Sequence, residues 1–165
     1  MKYLLVALMA TILGPMGGHI QQRPVKVLSI TNGQQLLVEL EKHGRAVRLT
    51  CLQAPRFRQE PWAEFAKSVL GSHVKRGDQA IFKLRSRDVY GRLVGRVFVN
   101  GKDLGAQLVQ QGSVMAWDGL VGRCDDLNYS ELEIMAKDAG LGLWSASPAL
   151  ERPWDVMEAA GGGEP

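Results

Sequence analysis

Short apolar runs broken by glycine-bearing turns constrain this chain more than any other feature. Residues 25–30, 36–40 and 46–52 read as three β-strands, separated by turn signals at Asn32-Gly33 and His43-Gly44. Residues 79–85 and 93–99 add a fourth and a fifth strand, with Tyr90-Gly91 and Asn100-Gly101 marking the reversals. Three helical stripes interrupt and follow these strands. Trp62, Phe65, Ala66, Val69 and Leu70 recur at helical spacing behind Pro61 and ahead of Gly71, which reads as a stop. Leu104, Leu108 and Val109 precede Gly112. Asn128 with Glu131 three residues on resembles a capping box, and Tyr129, Leu132, Met135, Ala136 and Ala139 form the stripe behind it. The pattern predicts an α+β fold: a five-stranded, oligonucleotide-binding-type (OB-fold-like) Greek-key β-barrel with three α-helices.

Segments outside that pattern have their own signatures. Met1-Lys2-Tyr3, the apolar run 4–13 and Gly14-Pro15-Met16-Gly17-Gly18 follow the order of a secretory signal, so residues 1–18 read as a signal peptide or an uncleaved N-terminal anchor. The run is short for a membrane span, which needs about 20 apolar residues. The expected location is secreted or periplasmic. A single domain spans 24–145, and 146–165 is a C-terminal tail in which Trp154 is placed to pack back onto the domain. Cys51 and Cys124 are the only cysteines. In an exported protein such a pair reads as a disulfide and not as a metal site, with two free buried thiols as the alternative.

Charge is distributed unevenly. Residues 42–96 hold thirteen Lys/Arg against four acids, whereas 97–165 hold four against eleven, although the whole chain carries only +3. The basic half is where a polyanion would bind.

Within that basic half stand Val47-Arg48-Leu49-Thr50-Cys51-Leu52-Gln53-Ala54-Pro55-Arg56 and Asp88-Val89-Tyr90-Gly91-Arg92, preceded by Asn32-Gly33-Gln34-Gln35-Leu36-Leu37-Val38. Together with Gly101-Lys102-Asp103-Leu104, Leu108-Val109-Gln110-Gln111-Gly112 and Gly140-Leu141-Gly142-Leu143-Trp144, these segments resemble the staphylococcal-nuclease-like (thermonuclease) family, and its exported cyanobacterial-type members in particular. The resemblance runs from about Val25 to Trp144 and implies a barrel with three helices acting on nucleic-acid phosphodiesters. By resemblance, Arg48 and Arg92 grip phosphate, since a guanidinium makes paired charge-assisted bonds to phosphate oxygens.

The chain departs from the family where the metal chemistry would sit. The family's metal-binding aspartates fall on Gln34 and Gln53, and its catalytic glutamate falls on Arg56. No metal ligand set is therefore expected, and no cofactor unless the family's activity, and with it calcium, is retained. Glu60, Glu64 and Asp88 are the nearest acids that could substitute. His43 and His73 read as surface residues. Arg58, Arg87 and Tyr90 are further candidates for contacting nucleic acid, and Phe57 and Trp117 could stack on bases. Three readings follow: a monomeric domain that binds DNA, RNA or another polyanion with cleavage weak or lost, an active nuclease with a rearranged site, and a protein-interaction module. The first predicts that Arg48, Arg56 and Arg92 converge near Gln34 and Gln53.

Overall fold

A computed structural model describes residues 22–117 and 124–161. Five strands close into a mixed barrel carrying four α-helices: β1 (Gln22–Asn32), β2 (Gln35–Leu40), β3 (His43–Leu49), β5 (Gln79–Arg87) and β6 (Leu93–Val99). The first three form an antiparallel meander, β1 pairs antiparallel with β5, and β5 with β6. Closure comes from β3 running parallel to β6, with Val47 opposite Leu93, Arg48 opposite Val94 and Leu49 opposite Gly95. A short strand β4 (Leu52–Gln53) pairs outside the barrel with β8 (Met115–Ala116), and β7 (Lys102–Asp103) hooks onto β6.

Alternation explains the barrel interior. On β2, Leu36, Val38 and Leu40 are buried while Leu37 and Glu39 face out. Val25 and Val27 of β1, Val47 and Leu49 of β3, Ala80 and Phe82 of β5 and Leu93, Val97 and Val99 of β6 complete one core. Helix α1 (Trp62–His73) seals one end with Ala66 and Leu70. Helix α2 (Leu104–Gln110) is capped by Asp103, whose carboxylate accepts the Gly105 N–H, and it buries Leu104, Leu108 and Val109. Helix α3 (Tyr129–Asp138) follows, then a 3₁₀ turn over Gly142–Ser145 and helix α4 (Pro153–Ala159).

Local physics revises several expectations. The second reversal lies at Glu41-Lys42, both in the left-handed region (φ 52° and 65°), so His43-Gly44 opens β3 instead of turning the chain. The third strand stops at Leu49, because Cys51 also takes a positive φ of 62° and re-aims the chain into β4. Gly71 does not end α1, which runs two residues further. On α3 only Tyr129 and Ala136 are buried. Met135 is 60% exposed, Ala139 is exposed, and Asn128 makes no side-chain cap bond, so the helix rests on a narrower face than its periodicity implied. The tail supplies a fourth helix, entered through Pro153 at its first position.

Cys51 and Cys124 form a disulfide, with Cα atoms 6.0 Å apart across a separation of 73 residues. Closing a loop of that length stabilises by roughly 4–5 kcal/mol on the chain-entropy view. Replacing both cysteines by serine is accordingly expected to lower the unfolding free energy by about 4 kcal/mol in urea denaturation. Two glycines give a sharper contrast. A Cβ on Gly95 would drive into the Lys83 carbonyl and the Phe82 ring, whereas one on Gly71 meets only Ile30 Cδ1 at an ordinary 3.5 Å. Gly95→Ala is expected to cost about 3 kcal/mol or more through strand displacement, and Gly71→Ala to add about 0.5–1 kcal/mol through helix propensity. Thermal melts of the two variants against wild type check both signs.

Candidate nucleic-acid interface

The barrel closure that joins β3 to β6 also sets the two motif arginines around one residue. Gln35, at the start of β2, is the cross-strand partner of Arg48 on β3, and its side-chain Oε1 accepts a hydrogen bond from Arg92 Nη1 at 3.1 Å. Arg92 is held from the other side by Asp88. That carboxylate accepts from Arg92 Nε with Oδ2, and from the backbone N–H groups of Tyr90 and Arg92 with Oδ1 at 3.0 and 2.9 Å. The turn 88–92 is thus folded around a single carboxylate whose side chain is fully buried. Burial pushes the Asp88 carboxyl up, but the Arg92 side chain, the Arg92 and Tyr90 backbone donors and the Arg92 charge outweigh it and leave the group below its ordinary value. Arg92 also lies 5.3 Å over the Tyr90 ring, which is itself 57% exposed.

Arg48 is only 3% exposed, and its guanidinium lies 5.9 Å over the ring of Trp117. Arg48, Cys51, Val94 and Trp117 line one small recess. Trp117 is fixed by its backbone, since its N–H donates to the Cys51 carbonyl at 3.0 Å. It stacks on Trp154 at 5.8 Å between centroids and 14° between planes.

Gln34 and Gln53 are both buried. Gln34 Oε1 accepts the Ala54 N–H at 2.6 Å, which ties the turn between β1 and β2 to the segment leading to Arg56. Arg56 lines an open cleft of about 250 Å³ with Asn32, Gln34, Phe57, Glu60, Glu64 and Lys67. Gln59 organises its loop: Oε1 accepts the Arg56 N–H at 2.9 Å, and Nε2 donates to the Glu151 carbonyl of the C-terminal segment at 2.7 Å. Phe57 stands 73% exposed at the rim, with Arg58 5.5 Å from its ring. Arg87 is exposed on the last residue of β5 and donates to the Gly91 carbonyl.

The structure therefore bonds Arg92 to Gln35, the cross-strand partner of Arg48, and places Arg56 in one cleft with the adjacent Gln34. Arg58 sits in the turn after Arg56, and Arg87 at the end of β5. Gln35 and Gln59, which hold these arginines, escaped sequence reading because an isolated amide has no spacing signature. The buried Gln34–Ala54 bond is equally invisible in sequence. Among the described residues, no group of three or more His, Cys, Asp or Glu is arranged to hold a metal ion.

Asp88 gives a pH test. Its folded carboxyl is depressed, so its contribution is complete above the unfolded carboxylate value near 4 and is lost as pH falls through the lower folded value. Wild-type stability is expected to fall on acidification below about pH 4, and Asp88→Asn to lose about 1–3 kcal/mol at neutral pH while showing a flatter acid limb. Urea titrations across pH 2–7 measure both.

Comparison with known proteins agrees with this geometry. No curated protein matches the chain. The family model described as staphylococcal nuclease homologue matches residues 28–146, a stretch that takes in most of the barrel, both arginine motifs and the disulfide. With the closed barrel and the arginine pair in the expected order, the chain belongs to the staphylococcal nuclease-like family.

Proposed function

We propose that this member of the family is an exported domain that grips the phosphodiester backbone of nucleic acid, with metal-dependent cleavage weak or lost. The observation that carries the reading is the bond from Ala54 N–H to Gln34 Oε1. At the position where the family resemblance calls for an anionic metal ligand, this chain has a neutral amide whose oxygen already serves its own backbone. A hard cation needs several oxygen ligands, and carboxylates dominate its affinity. Gln53 is also neutral, and the catalytic-glutamate position holds Arg56, a cation facing the same cleft as Gln34. Calcium does not fit this donor set, and no step is assigned to it. Phosphate does fit. Arg92 is held by Gln35 and Asp88 before any ligand arrives, so little ordering cost falls on binding, whereas Arg48 is 3% exposed against the Trp117 ring and adds its charge from below the surface. The disulfide and the apolar N-terminal run support export, and no described helix is long and apolar enough to cross a membrane. A monomer accounts for these features.

A second reading has one observation in its favour. Glu60 and Glu64 line the Arg56 cleft, and a rearranged active nuclease would use them. Glu60 is partly committed, accepting the Glu64 N–H at the start of α1 at 3.2 Å.

Fluorescence anisotropy with a labelled single-stranded oligonucleotide, paired with a cleavage assay with and without calcium, separates the readings. Binding should weaken steeply as salt rises, and Arg92→Ala should reduce affinity about tenfold. Cleavage should stay near background, because each lost electrostatic contributor costs about 10² to 10³ in rate. The Gln34→Asp/Gln53→Asp/Arg56→Glu triple variant should gain calcium-dependent cleavage. Strong calcium-stimulated cleavage by wild type, lost in Glu60→Gln or Glu64→Gln, would establish the rearranged nuclease instead.

A further inference from the structure

The C-terminal segment is latched at two points onto the loops that carry the arginines. Gln59 is buried, three residues after Arg56, and holds the Glu151 carbonyl across 92 residues of sequence. Three residues further along the tail, Trp154 lies flat on Trp117, the ring that covers Arg48. Pro153 between these contacts is buried, so this stretch is seated on the domain and not merely trailing from it.

The chemistry of the seated segment matches that of the ligand assigned to this face. Residues 146–165 contain Glu151, Asp155, Glu158 and Glu164 against the single cation Arg152. A flat aromatic ring attached to a chain of net negative charge is also what an oligonucleotide offers: base stacking for one part, phosphate charge for the other. Trp154 occupies a stacking face of Trp117, and a base taking that face must displace it. Arg152 lies 5.4 Å from the Trp154 ring and holds Asp155 at 2.7 Å, so the segment neutralises its own cation internally and presents a net acidic exterior.

We infer that residues 151–159 form an intramolecular pseudo-ligand that competes with nucleic acid for the stacking face of Trp117, the ring over Arg48. The inference rests on the nucleic-acid reading above and assigns its regulation. Nucleic acid and tail bind the same surface in exclusive states, so apparent affinity equals the intrinsic affinity reduced by the fraction of molecules with the tail released.

The test uses the full chain. Two stacked indoles give a circular-dichroism exciton couplet near the indole band, which reports the Trp117–Trp154 pair without any substitution. Wild type is titrated with a single-stranded oligonucleotide while anisotropy and the couplet are followed together, and Trp154→Ala and Trp154→Phe are titrated alongside. Competition predicts that the couplet collapses in step with binding, that Trp154→Ala binds about tenfold tighter, and that Trp154→Phe, which keeps a stacking ring, binds close to wild type. A couplet that survives at saturation, or a Trp154→Ala variant that folds and binds no tighter, overturns the pseudo-ligand while leaving the nucleic-acid reading in place. Absence of binding in wild type and in both variants overturns the nucleic-acid reading itself, and the pseudo-ligand with it. If Trp154→Ala melts before it can be titrated, the wild-type couplet alone decides.

Discussion

Parallel pairing of β3 with β6 is the contact on which the rest of this molecule depends. It converts an antiparallel sheet with two exposed edges into a closed barrel. It also brings residues 47–49, from the early meander, beside 93–95, which directly follow the 88–92 turn. On its other side β6 packs so tightly on β5 that Gly95 has no room for a side chain against Lys83 and Phe82. Thr50 adds to the closure by donating its N–H to the Gly95 carbonyl at 3.0 Å. Without this closure Arg48 on β3 and Arg92 in the 88–92 turn belong to unrelated parts of the chain. With it, they flank Gln35.

On the proposed reading the site differs from a catalytic one by electrostatics more than by shape. Each arginine is held by partners that cost little to arrange: Asp88 buried beside Arg92, Gln35 between strands, Trp117 over Arg48. Gln34 and Gln53 put neutral amides here, and Gln34 closes a backbone bond to Ala54. On the proposed reading such a site favours an anion in the ground state and lacks the preorganised charge that lowers a hydrolytic barrier.

How much of this was legible in the sequence depends on the kind of signal. Strands announced themselves through alternation, as Leu36, Val38 and Leu40 show, and α1 through its stripe. Boundaries were harder where backbone conformation decided them: Glu41, Lys42 and Cys51 adopt left-handed φ without being glycine, so the true turn and the true strand end carried no residue-type mark. Helix α3 was over-read because Met135 and Ala139 keep helical spacing yet face solvent. The arginine motifs stood at fixed spacing and could be read directly. Gln59, and the full extent of the tail's docking, could not, because their meaning arises only when residues 92 apart meet.

The central claim is that this site receives an anion and not a cation, and backbone and arginine side-chain NMR addresses it most directly. In ¹⁵N-labelled protein at neutral pH, a short single-stranded oligonucleotide should shift the Nε resonance of Arg92 and the indole resonance of Trp117, whereas millimolar calcium alone should leave the amides of Gln34 and Ala54 where they are. Calcium-induced shifts at Gln34 and Ala54 with saturation in the micromolar range, and no arginine response to oligonucleotide, would contradict the account.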